Sequence, residues 1–262
     1  MNPERLLQHF GRISEAPDAI PRLRRFILDL AVRGKLVEQD LNDEPAEELL
    51  KRIQAEKATL VKEEKIKKEK PIQSRANGNM PIELPKGWIW GCIQEICTSV
   101  TDGDHIPPPK SENGIPFLVI GDVRSQSIDF GGCRYVPDSY YQQLDEIRRP
   151  TKGDVLYTLV GSYGIPVVVK DDRPFCVQRH IGILRPSQYV NVDCFARILE
   201  SRVIFDQATR CATGIAQKTV PLAGLRGILI PLPPLAEQHR IVAKVDELMA
   251  LCDQLEAVKT ER

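Results

Sequence analysis

The spacing of apolar and polar positions changes rhythm several times along the chain. Over residues 20–38 ("IPRLRRFILDLAVRGKLVE"), Leu23, Phe26, Ile27, Leu30 and Ala31 recur at steps of three and four, the period of one helix face, and Gly34 offers a terminus. Over residues 45–70 ("PAEELLKRIQAEKATLVKEEKIKKEK"), a proline and two glutamates suit a first helical turn. Leu49, Ile53, Leu60 and Ile66 make a thinner stripe there, on a helix exposed over its last turns. Residues 71–85 ("PIQSRANGNMPIELP") have no period and read as a linker.

From Trp88 onward, short runs rich in valine, isoleucine, phenylalanine and tyrosine ("IPFLVIGDV", "DVLYTLVG", "GIPVVVK", "HIGILRP") alternate with glycine, proline and aspartate turns. This is the texture of a β-rich domain. One helix is predicted within it, over residues 192–210, with Phe195, Ile198, Leu199 and Val203 on one side. Pro231, Pro233 and Pro234 then predict a stiff extended step out of the domain. Beyond them Ile241, Val245, Leu248, Cys252 and Leu255 are spaced four, three, four, three, which is a coiled-coil seam. Residues 235–258, about 24 of them, would reach roughly 36 Å as a helix. Such a seam needs a partner, either the chain's own amino-terminal helices or another chain. The expected fold is α+β, with a helical region at 1–70, a linker at 71–85, a β-rich domain at 86–231 and a long helix at 232–262.

Composition adds limits more than directions. An apolar content of 42% is enough for a core, and 36 basic against 36 acidic side chains give no overall attraction to nucleic acid or membrane. No segment has the apolar length of a secretory signal or a membrane span, so a cytoplasmic location is expected. The seven cysteines (Cys92, Cys97, Cys133, Cys176, Cys194, Cys211, Cys252) include no C-x-x-C pair and read as small buried hydrophobes. The charge distribution says more than its total. Residues 86–172 hold 8 basic and 12 acidic side chains, whereas 173–226 hold 8 basic and 3 acidic, so one part of the β-rich domain could face phosphates.

The sequence motifs of phosphate, zinc and acyl chemistry are absent, and so is the N-P-P-aromatic tetrad of adenine methyltransferases. The chain reads as non-catalytic. "TDGDHIPPP" gathers Asp102, Asp104 and His105, which could hold a metal; the plainer reading is a turn whose carboxylates satisfy backbone amides. "VGSYGIP" frames Ser162 and Tyr163 between glycines that allow close approach of a ligand or simply form a tight hairpin. "ATGIAQKTV" presents Gln217, Lys218 and Thr219 after a glycine turn: an amide able to read adenine, a cation for phosphate and a hydroxyl.

Taken in order, "FILDLAVRGKLV", "LPKGWIWGCIQEI", "DGDHIPPP", "GIPFLVIGDV", "KGDVLYTLVGSYG", "QRHIGILRP" and "TGIAQKTVPLAGLRGILIPLPPLAEQHRIVAKVDELMALCDQLE" resemble the specificity (S) subunit of Type I restriction-modification systems. The resemblance covers nearly the whole chain. It implies a DNA-reading target-recognition domain flanked by helices that act as a ruler and as docking surfaces for modification subunits. It implies no cofactor in this chain: S-adenosylmethionine, ATP and magnesium are expected on the modification and restriction subunits. A full member carries two recognition domains, whereas this sequence holds one and no internal repeat. It therefore resembles half a subunit, which either pairs with a second copy to read an inverted repeat, or is a truncated remnant that docks without reading DNA, or is part of a longer protein. The residues expected to meet double-stranded DNA are Ser162, Tyr163, Arg179, His180, Gln217 and Lys218, with His105, Lys110 and Arg124 as outer candidates. Those expected in helix packing or partner docking are Ile241, Val245, Leu248, Cys252 and Leu255.

Overall fold

Helix α1 (Ala19–Val32) buries Ile27, Leu28, Ala31 and Val32, and the chain leaves it through Gly34 at φ +61°. A β-carbon on Gly34 would lie 2.3 Å from Pro85 Cγ, so this turn accepts only glycine. The buried stripe is rotated from the expected one, leaving Leu23 and Phe26 exposed. Helix α2 (Ala46–Lys62) buries Ala46, Leu49, Leu50 and Ile53. It stops well before residue 70, because the chain reverses at Glu64 (φ +58°) and Lys57 ties the returning segment down. The Lys57 ammonium donates to the carbonyls of Gln94 and Cys97 and pairs with Glu69. This computed structural model describes residues 18–70, 72 and 80–260; the expectations for residues 1–17, most of the linker (71 and 73–79) and 261–262 lie outside the described residues.

Next come β1 (Ile89–Cys92), α3 (Ile93–Ile96), β2 (Cys97–Asp102), β3 (Ile115–Leu118), β4 (Val123–Arg124), β5 (Ser127–Ile128), β6 (Arg134–Val136) and α4 (Asp138–Gln143). They are followed by β7 (Val155–Thr158), β8 (Pro166–Val168), β9 (Cys176–Val177), β10 (Ile181–Pro186), α5 (Val192–Leu199), α6 (Arg202–Cys211), α7 (Leu222–Gly227), β11 (Leu229–Leu232) and α8 (Leu235–Thr260). The main sheet has the order β2-β10-β7-β8 and is antiparallel throughout, with Ile183 of β10 opposite Thr101 and Leu156. A second sheet, β6-β3-β9, pairs β3 with β9 in parallel, and β4 with β5 forms a short hairpin. The α+β class expected from the valine- and isoleucine-rich runs is what forms.

Two expectations about local structure are corrected. The helix predicted over 192–210 is two helices, α5 and α6, broken at Ser201, whose backbone is extended (ψ 156°). The break lets Phe195, Ile198 and Leu199 bury on one side of the bend and Val203, Ile204 and Ala208 on the other. Pro231 is a member of β11, paired opposite Trp90 in the two-stranded β1-β11 ladder, where it has no neighbour to donate to. Only Pro233 and Pro234 form the step, and the Pro234 carbonyl accepts the amide of Gln238 as α8 begins.

The strand that enters the β-rich region thus pairs with the strand that leaves it, and α8 departs beside α1. The two helices run antiparallel: Arg24 pairs with Asp253 and Glu256, while Arg240 pairs with Asp43 beyond the other end of α1. Ile241, Val245 and Cys252 are buried, and Leu248 is half-buried. Leu255 is exposed, and Met249 fills the seam instead. One continuous core joins Ile27, Leu49 and Ile53 of the first helices with Ile93, Leu184 and Phe195 of the β-rich part and Val245 of α8. Five of the seven cysteines are buried, and burial pushes the Cys176 thiol up to about 12. Among the described residues no helix is long and apolar enough to cross a membrane.

Candidate nucleic-acid interface

Three neighbouring strands of the main sheet have their ends on one edge. Asp102 closes β2 opposite Gly182 of β10, and Ile181 of β10 faces Thr158, the last residue of β7. The loops at 103–110, 159–165 and 178–180 therefore leave or enter at the same place. A fourth loop, 213–219, is drawn to it by backbone bonds: Val160 bridges Thr219, the Val220 amide donates to the Leu159 carbonyl at 2.8 Å, and the Gly161 amide donates to the Lys218 carbonyl at 3.0 Å. The Leu159 amide in turn donates to the His180 carbonyl at 2.9 Å.

This geometry brings the loops carrying Ser162, Tyr163, Arg179, His180, Gln217, Lys218 and His105 to one edge. Ser162, Arg179, Gln217, Lys218 and His105 are exposed there. Burial and the neighbouring Arg179 hold the His180 imidazole below its ordinary value, so at neutral pH it is uncharged. Tyr163 differs from the expectation: its ring stacks on Phe205 at 5.5 Å and its hydroxyl lies 3.0 Å from Thr209 Oγ1, so its face serves packing. Lys110 is exposed beside Ser111, which bridges Tyr135 on the second sheet. Arg124 is not part of this edge; it sits on the β4-β5 hairpin and pairs with Asp129 at 2.9 Å.

The excess of cations over residues 173–226 is largely consumed inside the molecule. Arg185 pairs with Asp154, Arg197 with Asp246 and Glu200, and Arg202 with Asp206. Arg226 donates to the Val100 carbonyl and Arg173 lies over the Phe130 ring. Arg179 and Lys218, both on the loop edge, have no carboxylate within ion-pair distance among the described residues. Of the cations without a carboxylate partner, Arg179 and Lys218 share the loop edge with the amide of Gln217, while Arg210 lies exposed on α6.

The acidic residues of the first loop are already engaged. Asp102 takes Arg148 Nη1 at 3.1 Å and His105 Nε2 at 3.0 Å. Asp104 accepts the His105 amide at 2.8 Å and the Tyr140 hydroxyl at 3.1 Å. These contacts fit the plainer reading of the cluster, in which carboxylates hold a turn. Arg148, which also donates to the Asp102 and Gly103 carbonyls, is a positioning residue that sequence reasoning missed, since nothing in "DEIRRP" separates it from its neighbours. Gly103 is the other. Its β-carbon, if present, would lie 2.0 Å from the Val177 carbonyl oxygen, a backbone atom with little room to yield. Gly103→Ala is expected to lower stability by about 1–3 kcal/mol in urea unfolding and to displace the first loop, with binding of target DNA weakened beyond what the unfolded fraction explains. Unchanged unfolding and binding would show the contact to be dispensable.

An amino-terminal helical pair, a β-rich body with converging loops and a long exit helix are together the architecture of a DNA-specificity subunit. A chain solved in work on "complex assembly and conformational transition of the type I R-M system" shares it at TM-score 0.54 and 19% identity, over 100% of this chain and 56% of that one. The HsdS subunit of Thermoanaerobacter tengcongensis shares it at TM-score 0.53 and 18% identity, over 97% of this chain and 53% of that one. Residues 85–262 match the family described as Type I restriction modification DNA specificity domain, and the chain belongs to that family. It is 35% identical over 250 residues to the EcoEI and to the EcoAI Type I restriction enzyme specificity subunits of Escherichia coli, in each case over 90% of this chain. It spans 40% and 41% of the length of those two relatives. Type I specificity subunits are non-catalytic.

Proposed function

We propose that this chain reads one half of a two-part DNA target and docks the modification subunits that methylate adenine there. The observation that carries the reading is the loop edge, where backbone bonds gather the loops of Gln217, Ser162 and His180 with two cations, Arg179 and Lys218, that no carboxylate neutralises among the described residues. Cations suit phosphates and an amide suits the adenine edge in the major groove. S-adenosylmethionine, ATP and magnesium belong, in this reading, to the partner subunits. Partner helices would cover the strip formed by Leu23 and Phe26 of α1 with Leu251, Leu255 and Val258 of α8, all exposed. A second copy could supply the other half-site through the same strip.

The test is methyladenine mapping in a host that lacks other adenine methylases and expresses this chain with its modification subunit. A new bipartite motif is expected, and a palindromic one would mean that two copies pair. A co-purifying complex that adds no motif would overturn the DNA-reading role and leave only docking.

A further inference from the structure

The loop at 213–219 carries a residue that its neighbours do not account for. Thr213 and Thr219 exchange both backbone hydrogen bonds at 2.8 Å, closing a five-residue tip. Gly214 (φ +97°) lets the tip fold on itself, since a β-carbon there would meet the Gln217 carbonyl at 2.4 Å. The tip is therefore pinned at its base and folded tightly within. At its outermost point Ile215 is 105% exposed, the most open large apolar side chain among the described residues. A single exposed aliphatic residue is ordinary on a protein surface. This one differs in its company: it lies two residues from Gln217 and three from Lys218, on a loop bonded to residues 159–161, of which Leu159 in turn bonds to the turn that bears Arg179.

We propose that Ile215 is a specificity-determining residue that packs against the 5-methyl group of a thymine in the major groove. The inference rests on the reading that the loop edge meets DNA, and it adds an apolar element to it. Base edges in the major groove offer donors, acceptors and one apolar group, the thymine methyl. Gln217 answers the first two. Ile215, with no polar atom in its side chain and fully exposed among the described residues, answers the third. Lys218 and Arg179 supply the attraction that brings the backbone within reach.

The experiment uses the full chain in complex with its modification subunit and duplexes carrying the methylated motif, with each thymine replaced in turn by deoxyuridine. Wild-type binding is expected to weaken about fourfold at one thymine, the fold-change equivalent to one buried methyl. Ile215→Ala should lose that dependence at the same position, melt at the same temperature and bind scrambled DNA as before. Two outcomes overturn the proposal: a wild-type complex indifferent to every replacement, or an Ile215→Ala chain weakened equally on target and scrambled DNA, as a wedge in the minor groove would be. A wild-type complex that does not prefer its motif to scrambled DNA sinks the DNA-reading role itself, which separates that failure from this one.

Discussion

Asp154→Ala is expected to cost about 3–5 kcal/mol of stability, the range for stripping one partner from a buried ion pair. The Asp154 side chain is 2% exposed and takes both arms of Arg185, Nε on one oxygen and Nη2 on the other, each at 2.9 Å. It also accepts the Thr151 amide at 2.9 Å, which fixes the turn into β7. Alanine would leave the Arg185 guanidinium, itself only 30% exposed, with only the weaker influence of Glu146 as counter-charge and the Thr151 amide without an acceptor. Asp154→Asn keeps one acceptor oxygen and should fall between alanine and the native chain. Arg185 lies at the end of β10 remote from Ile181, so the folded fraction of the alanine variant should keep its DNA preference unchanged. A urea midpoint that gives less than about 1 kcal/mol would show that solvent replaces the pair.

The second large effect is at the root of α8. Glu237 is 2% exposed; it accepts Trp88 Nε1 at 2.8 Å and lies 3.5 Å from Gln39 Nε2. Glu237→Ala should cost about 2–4 kcal/mol, from a buried indole donor left without an acceptor and a cavity beside it. Its pH dependence runs in the less familiar direction. Burial raises the Glu237 carboxyl, outweighing the hydrogen bonds of Trp88 and Gln39 and the charge of Arg240, which lower it. The folded chain then holds this proton more tightly than the unfolded chain, so the stability it contributes is complete below the ordinary glutamate range. That contribution is lost as pH rises through the raised folded value. Glu237→Gln, which accepts from Trp88 but does not titrate, should flatten that decline. Urea midpoints measured from acid to neutral pH check it, and a native chain no more pH-dependent than the glutamine variant would show that the carboxyl is not held in this way.

Much of the architecture was legible because it depends on local spacing. Leu49 and Ile53, or Ile241, Val245 and Cys252, sit where steps of three and four put them, and the valine-rich runs became strands. The differences arise where a neighbour decides. Leu255 continues the heptad, but α1 meets the last turns of α8 through Arg24, and Met249 is the residue that faces it. The break at Ser201 is silent in the sequence because the apolar period runs straight through it. Least legible was the loop edge. Residues near 103, 161, 179 and 217 are brought together by the order of strands and by backbone bonds such as those of Gly161 and Val220, and neither leaves a mark in side-chain spacing. Gln217 and Lys218 are proposed from their chemistry, whereas Arg148 and Gly103 act through contacts with distant backbone.

The contacts around Glu237 and Arg240 also set a tolerance. Helix α8 is 26 residues long, so with α1 strapped to it the pair is a lever of about 39 Å. A play of about 10° at its root would swing the far end by about 7 Å, the rise of roughly two base pairs. The indole, the buried carboxyl and the Asp43 pair therefore work as the bearing of an instrument, and looseness there would be read out, magnified, at whatever the far end holds.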